Sequence, residues 1–206
     1  MPGRNILKQD VADTYYHIYA RGANKQQIFI DDTDFTYFLS LLKRYLSVEE
    51  IKSTRGAAFP KLYNDIHLLT YCLMPNHFHL LVYQINEKAM TRLMRGVMSS
   101  YSLYFNKRHQ RVGHLFESCY RASRVSNETY LLHISRYIHL NPDKWQSYEY
   151  SSLSSFTGTT ARDWVVTDRI LGLYTSKAAY KAFLDDYEQQ RDELHIIKDQ
   201  LANKLT

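Results

Sequence analysis

Residues 66–84 constrain the fold most. Ile66 to Leu73 and Asn76 to Gln84 are runs rich in branched and aromatic residues, joined across Met74-Pro75-Asn76. Such runs flanking a Pro-Asn turn predict a β-hairpin. His77 and His79 stand two apart in the second run, so on a strand they share one face while Phe78 turns to the other, into a core. Two adjacent imidazoles are poor core material and half of a metal site. The bare pair is weak: nine histidines in 206 residues give about 0.4 such spacings by chance. Alone, it reads first as a histidine bonded to a neighbouring strand or a buried tyrosine.

The elements around the hairpin have a definite order. Residues 14–21 alternate Tyr16, Ile18 and Ala20 with Tyr15, His17, Tyr19 and Arg21, and Gly22 closes this first strand. Asp31 to Asp34 precede Phe35, Phe38, Leu39, Leu42 and Leu46, which marks a helix over about 32–48. Residues 49–64 lack a sustained period and read as a long loop or a helix extension followed by one. Met90, Leu93, Met94, Val97, Met98, Tyr101, Tyr104 and Phe105 predict a second helix over about 87–108. Tyr120 to Ser126 is a candidate fourth strand. Asn127 then caps a helix that runs to Leu140, just before Pro142.

The order β-α-β-β-α-β-α predicts an α+β, ferredoxin-like split βαβ sheet with an added helix. In such a sheet the first strand and the histidine strand are central. From Asp143 the composition shifts: residues 145–162 are rich in Ser, Thr and Tyr, and two short helical patterns follow, Val166 to Tyr174 and Ser176 to Tyr187. This divides the chain into a domain at 1–145 and a helical accessory extension at 146–206. The tail 188–204 is polar with a narrow stripe of Leu194, Ile197 and Leu201, and the stretch 185–199 holds six acids against two bases, which disfavours contact with a polyanion there.

Charge points to a partner. The formal charge of +5 and pI of about 9.0 lean towards a polyanion. Residues 107–124 concentrate that charge: Lys107, Arg108, Arg111, Arg121 and Arg124 against Glu117 alone, with His109, His114, Phe116 and Tyr120 interleaved. Basic residues with aromatics between them suit a nucleic-acid groove better than a solvated loop. Arg21, at the end of the first strand, and His114 join this candidate DNA-binding set. Two cysteines without a C-x-x-C spacing, and an N-terminus without an apolar signal run, read as a protein of the reducing cytoplasm. No apolar run reaches the roughly 18 residues of a membrane span.

The histidine pair can be completed from the last core helix. Tyr137 and Asn141 are i and i+4 and share a helix face. Asn141 offers an amide oxygen, a hard ligand suited to Mg²⁺ or Mn²⁺. Tyr137 offers a phenol that can serve as a covalent nucleophile. His133 lies one turn earlier on that face and could approach the same point, although packing explains it as well. A tyrosine packed on the sheet and an asparagine ending a helix before Pro142 would be the ordinary readings of Tyr137 and Asn141. Tyr120 is the rival nucleophile, but it falls on a predicted strand.

Four segments then carry a family resemblance: Tyr16-His17-Ile18-Tyr19-Ala20-Arg21-Gly22, Leu73-Met74-Pro75-Asn76-His77-Phe78-His79-Leu80-Leu81-Val82, Gly113-His114-Leu115-Phe116 and Arg136-Tyr137-Ile138-His139-Leu140-Asn141-Pro142. Together they resemble the HUH single-tyrosine transposases of the insertion-sequence-200-like family, most closely the REP-associated tyrosine transposase branch, over about residues 10–145. The resemblance implies a ferredoxin-like fold, Tyr137 as catalytic nucleophile, and His77, His79 and Asn141 as ligands of Mg²⁺ or Mn²⁺. The family often has Gln where Asn141 stands, so the shorter amide is a departure. The implied reaction cuts single-stranded DNA beside a hairpin, leaves a 5′-phosphotyrosine and a free 3′-OH, and rejoins strands by reversal. The implied partner is single-stranded or hairpin DNA, with monomer and homodimer both open.

Three other functions compete. A replication-initiator or relaxase nickase of the same class usually carries larger accessory domains. A domesticated hairpin-binding protein would have no need of the full set of candidate residues. An RNA-binding module would place stacking aromatics where His77 and His79 stand.

Overall fold

The computed structural model describes residues 10–51 and 58–186. Four strands form one antiparallel sheet: β1 (Thr14–Arg21), β2 (Ile66–Met74), β3 (His77–Gln84) and β4 (Arg121–Val125), in the order β2-β3-β1-β4. The expected α+β, ferredoxin-like arrangement is what the chain adopts, with β1 and the histidine strand β3 at the centre.

Helices α1 (Asp32–Leu46) and α2 (Ala89–Arg108) cover one face of the sheet. Tyr16, Ile18 and Ala20 of β1 and Phe78, Leu80 and Val82 of β3 point into that layer and meet Phe38, Leu42, Leu93, Val97 and Tyr101. The helix boundaries have local causes. Asp31 caps α1 by accepting from the Thr33 and Asp34 amides, and Arg108 at the end of α2 bonds both Asp31 and Asp34. The α1 start is thereby tied to the α2 end. Asp34 is fully buried and is also met by His109 and the Ile30 amide, so the buried charge is satisfied. α1 stops at Leu46, short of the expected 48, where Ser47 turns extended.

The opposite face carries α3 (Glu128–His139), capped by Asn127 through the Tyr130 amide. The 146–186 segment packs beside it. It contains α4 (Leu153–Thr157), α5 (Asp168–Leu171) and α6 (Lys177–Asp185). Leu153, Phe156, Ile170, Tyr180 and Leu184 share a core with Leu131, Ile134 and Ile138 of α3 and with Tyr19, Leu69, Cys72 and Leu81 of the sheet. The segment also runs along edge strand β2: the Leu73 amide donates to the Tyr150 carbonyl, Ser152 to Tyr71 and Val166 to Leu68. Helix α4 has no counterpart in the sequence pattern, because Ser-rich residues 151–155 carry no clear apolar period. The two expected short helices are present: α5 is trimmed at both ends of 166–174, and α6 starts at Lys177, while the expected end at 187 lies outside the described residues. The polar tail expected to be helical over 188–204 lies outside the described residues.

Candidate active site

The site is built on the α3 face. The alternation of β3 turns His77, His79 and Leu81 towards α3 while Phe78, Leu80 and Val82 go to the other core. β1 pairs with β3 so that His17 lies opposite Leu81, Tyr19 opposite His79 and Arg21 opposite His77. Residues directly opposite across a ladder share a face. His17, which the sequence places only on a strand face, is therefore drawn into the histidine cluster: its Nε2 lies 2.9 Å from His79 Nδ1, with the two rings stacked.

The turn before β3 is held from outside. The Gly22 amide donates to the Asn76 carbonyl, and the Ile28 and Phe29 amides both donate to the Pro75 carbonyl. A Cβ on Gly22 would sit 2.1 Å from the Gln26 carbonyl oxygen, so no side chain fits there. Asn24 and Lys25 adopt left-handed backbone. In this loop the Lys25 carbonyl accepts from Asn76 Nδ2 at 3.4 Å. Asn76 Oδ1 is thereby left facing His77 Nδ1 at 2.6 Å.

α3 delivers the other half. The Tyr137 ring lies edge-on to His79 with centroids 5.3 Å apart, and Asn141, two residues beyond the end of α3, places Oδ1 3.2 Å from His77 Nε2. One chain thus brings together all four residues picked from the sequence. Burial of Tyr137 pushes its phenol up to about 12, against a hydrogen bond from Asn141 that lowers it. Burial pushes His77 down to about 4, partly offset by Asn141, and lowers His79 well below the usual range, helped by its neighbours His77 and His17. Both imidazoles are accordingly neutral, the form that binds metal.

The donor set fits a divalent cation. Asn141 Oδ1 faces His77 Nε2 at 3.2 Å, and a neutral imidazole nitrogen and an amide oxygen both suit a divalent ion. Among the described residues no three His, Cys, Asp or Glu side chains converge on one point. Two imidazoles and one amide oxygen are therefore the set that these residues offer.

The other candidates fall elsewhere. His133 turns to the extension: its Nδ1 lies 2.9 Å from Arg136 Nη2 and its ring meets Phe183. Tyr120 is buried in the α1/α2 core with its hydroxyl 3.0 Å from that of Thr91, away from the histidines. The basic residues are split. Arg21 and Arg121 share the histidine face, since Arg121 lies opposite Tyr19, but Arg21 is ion-paired to Glu117 at 3.0 Å. Arg124 pairs with Tyr16 and points to the other face. Lys107 and Arg108 end α2, where Arg108 is held by two aspartates. Arg111 donates to Gln26, and His114 lines a cleft of about 690 Å³ between α2 and residues 113–120.

The site is thus a histidine pair on a central strand of a split βαβ sheet, faced by a tyrosine from an added helix. A family model described as "Transposase IS200 like" matches residues 10–141. The chain belongs to the IS200-like transposases. Among solved structures it resembles a REP-associated tyrosine transposase bound to a REP hairpin, with 12% identity and a TM-score of 0.51 over 79% of this chain and 88% of that one. It also resembles a candidate transposase from Deinococcus radiodurans, with 16% identity and a TM-score of 0.40 over 64% of this chain and 93% of that one. A search of curated proteins returns no match. Among the described residues no helix is long and apolar enough to cross a membrane.

Proposed function

We propose that this transposase cuts and rejoins single-stranded DNA beside a hairpin, with Tyr137 as nucleophile and His77, His79 and Asn141 as the holders of Mg²⁺ or Mn²⁺. The observation that carries the reading is the convergence of these four side chains from two elements far apart in sequence. A bound divalent ion would supply Lewis-acid polarisation of the scissile phosphate. The chain's own residues do the rest. His77 and His79, neutral and fixed on a central strand, give the site a rigid floor. Tyr137 Oη attacks phosphorus in line, the P–O3′ bond breaks, and the 5′-phosphate becomes esterified to tyrosine. The phenolic proton leaves Oη, and O3′ takes up one proton as the free 3′-OH. Asn141, one helical turn beyond Tyr137, lowers the pKa of its phenol and so stabilises the developing phenolate. In the reverse step a 3′-OH attacks the phosphotyrosine and restores the phenol; the number of phosphodiester bonds is conserved, so no external energy is needed.

DNA would enter at the β1/β4 side, where Arg21 and Arg121 flank the histidines and a phosphate can compete with Glu117 for Arg21. Lys107, Arg111, His114 and Arg124 lie further out and suit the hairpin stem, while Arg108 is already engaged by carboxylates. Such phosphate contacts give salt-dependent affinity. The test is incubation with labelled hairpin DNA, with Mg²⁺ or Mn²⁺ and with chelator, on a denaturing gel. A metal-dependent shifted band is expected from the wild type and none from Tyr137→Phe; an adduct that persists in Tyr137→Phe sinks the assignment.

A further inference from the structure

Each histidine of the pair is held at Nδ1 by a different neighbour. Asn76 Oδ1 lies 2.6 Å from Nδ1 of His77, and His17 Nε2 lies 2.9 Å from Nδ1 of His79. A neutral imidazole has one N–H and one lone pair, so the partner at one nitrogen decides which atom is left at the other. For Asn76 the direction is set by its own amide. Nδ2 donates to the Lys25 carbonyl, so an oxygen, which can only accept, faces His77. For His79 the contact is imidazole to imidazole and permits either direction: His17 can accept or donate.

Resting on the proposed function, we infer that Asn76 and His17 are positioning residues that hold His77 and His79 as Nδ1–H tautomers, with both Nε2 lone pairs free for the cation. If His17 instead donated to His79, the Nε2 of His79 would carry the proton and could not ligate. The two devices have different origins. Asn76 belongs to the turn that opens β3 and is oriented by the left-handed loop at Asn24 and Lys25. His17 comes from the neighbouring strand and is fully buried, so its ring can move little. Groups that orient a ligating imidazole from behind commonly change metal affinity by roughly 10- to 100-fold when removed.

Two measurements on the full chain test this. Long-range ¹H–¹⁵N spectra of the metal-free protein read which ring nitrogen carries the proton. The wild type is expected to show Nδ1–H at both His77 and His79; Nε2–H at either ring overturns the inference for that ring. Mn²⁺ titration followed by electron paramagnetic resonance gives affinity without any catalytic readout. Asn76→Ala removes an acceptor from a partly exposed turn, and His17→Phe keeps a stacked ring but removes the acceptor nitrogen. Each is expected to weaken Mn²⁺ roughly 10- to 100-fold and to mix the tautomers of its partner, while Asn76→Asp, which keeps an acceptor oxygen, restores affinity. Mn²⁺ binding as tight in Asn76→Ala and His17→Phe as in the wild type overturns the positioning roles and leaves the proposed function standing. A wild type that binds no Mn²⁺ overturns both.

Discussion

The two faces of the sheet are made from the same four strands and could hardly differ more. The α1/α2 face is packed mainly with apolar side chains such as Phe38, Phe78, Leu93 and Tyr101, and its buried Asp34 sits at the join of the two helices. The α3 face interrupts its apolar packing with His17, His77, His79 and Tyr137, and continues into a buried polar network. In that network His139 Nδ1 meets the Tyr180 hydroxyl at 2.7 Å and Nε2 meets Ser152 Oγ at 2.8 Å, and Ser152 in turn receives the Tyr71 amide. The difference teaches a division of labour. One face supplies stability by burying apolar area. The other holds polar groups in fixed positions, which packing alone would not do.

Substitutions can break that division. The largest effect on stability belongs to the apolar face. Phe78→Ala should lower unfolding free energy by about 3–5 kcal/mol, seen as a large drop in denaturant midpoint; a loss under about 1 kcal/mol would refute the assignment. Next comes the join between α3 and the extension. Tyr180→Phe removes the hydroxyl that meets His139, so it should destabilise by about 1–3 kcal/mol and lower cleavage along with it, because α3 carries Tyr137. A variant with full stability and full activity would show the network to be idle.

Acidity probes the same network. Burial holds His139 down to about 3 and His77 down to about 4. In the unfolded chain both titrate near 6.5. Between that value and the folded one the unfolded state binds more protons, so stability falls as pH falls. The slope is at most about 1.4 kcal/mol per pH unit for each histidine, and it levels off below the folded pKa. Denaturant midpoints measured from pH 7 to pH 4 check the sign; a flat profile would contradict the buried neutral state. The candidate active site should show the most lopsided effect: His79→Leu takes from the fully buried His17 its 2.9 Å contact and should cost about 1–3 kcal/mol, yet abolish metal-dependent cleavage altogether. If it instead unfolds the protein, the histidine face is structural after all.

Much of the architecture was legible because it is local. Alternation in 14–21 and 77–84 assigned the strands and their faces, and the acidic start at Asp31 to Asp34 located α1. The spacing of Tyr137 and Asn141 put them on one helix face, and the His-x-His spacing did the same on a strand. These follow from repeats of two and 3.6 residues, which the backbone imposes wherever the chain goes. His17 was visible as a residue on a strand face and no more. Its role depends on the register between β1 and β3, which pairs it beside His79 across 62 positions of sequence. Helix α4 was missed because it is short and rich in serine, and is held by the core it packs on.

The basic residues show the limit most plainly. Arg21, Lys107, Arg108, Arg111, Arg121 and Arg124 are one class by composition. Only the fold gives Arg108 to Asp31 and Asp34, pairs Arg21 with Glu117, and sends Arg121 and Arg124 to opposite faces of one strand. By itself the sequence determined which residue types exist and which share an element's face, since those depend on local backbone geometry. Tertiary structure decided which partner each charge and each imidazole nitrogen meets. Those partners arrive from other elements, and a hydrogen bond made or missed at 3 Å is invisible to any periodicity.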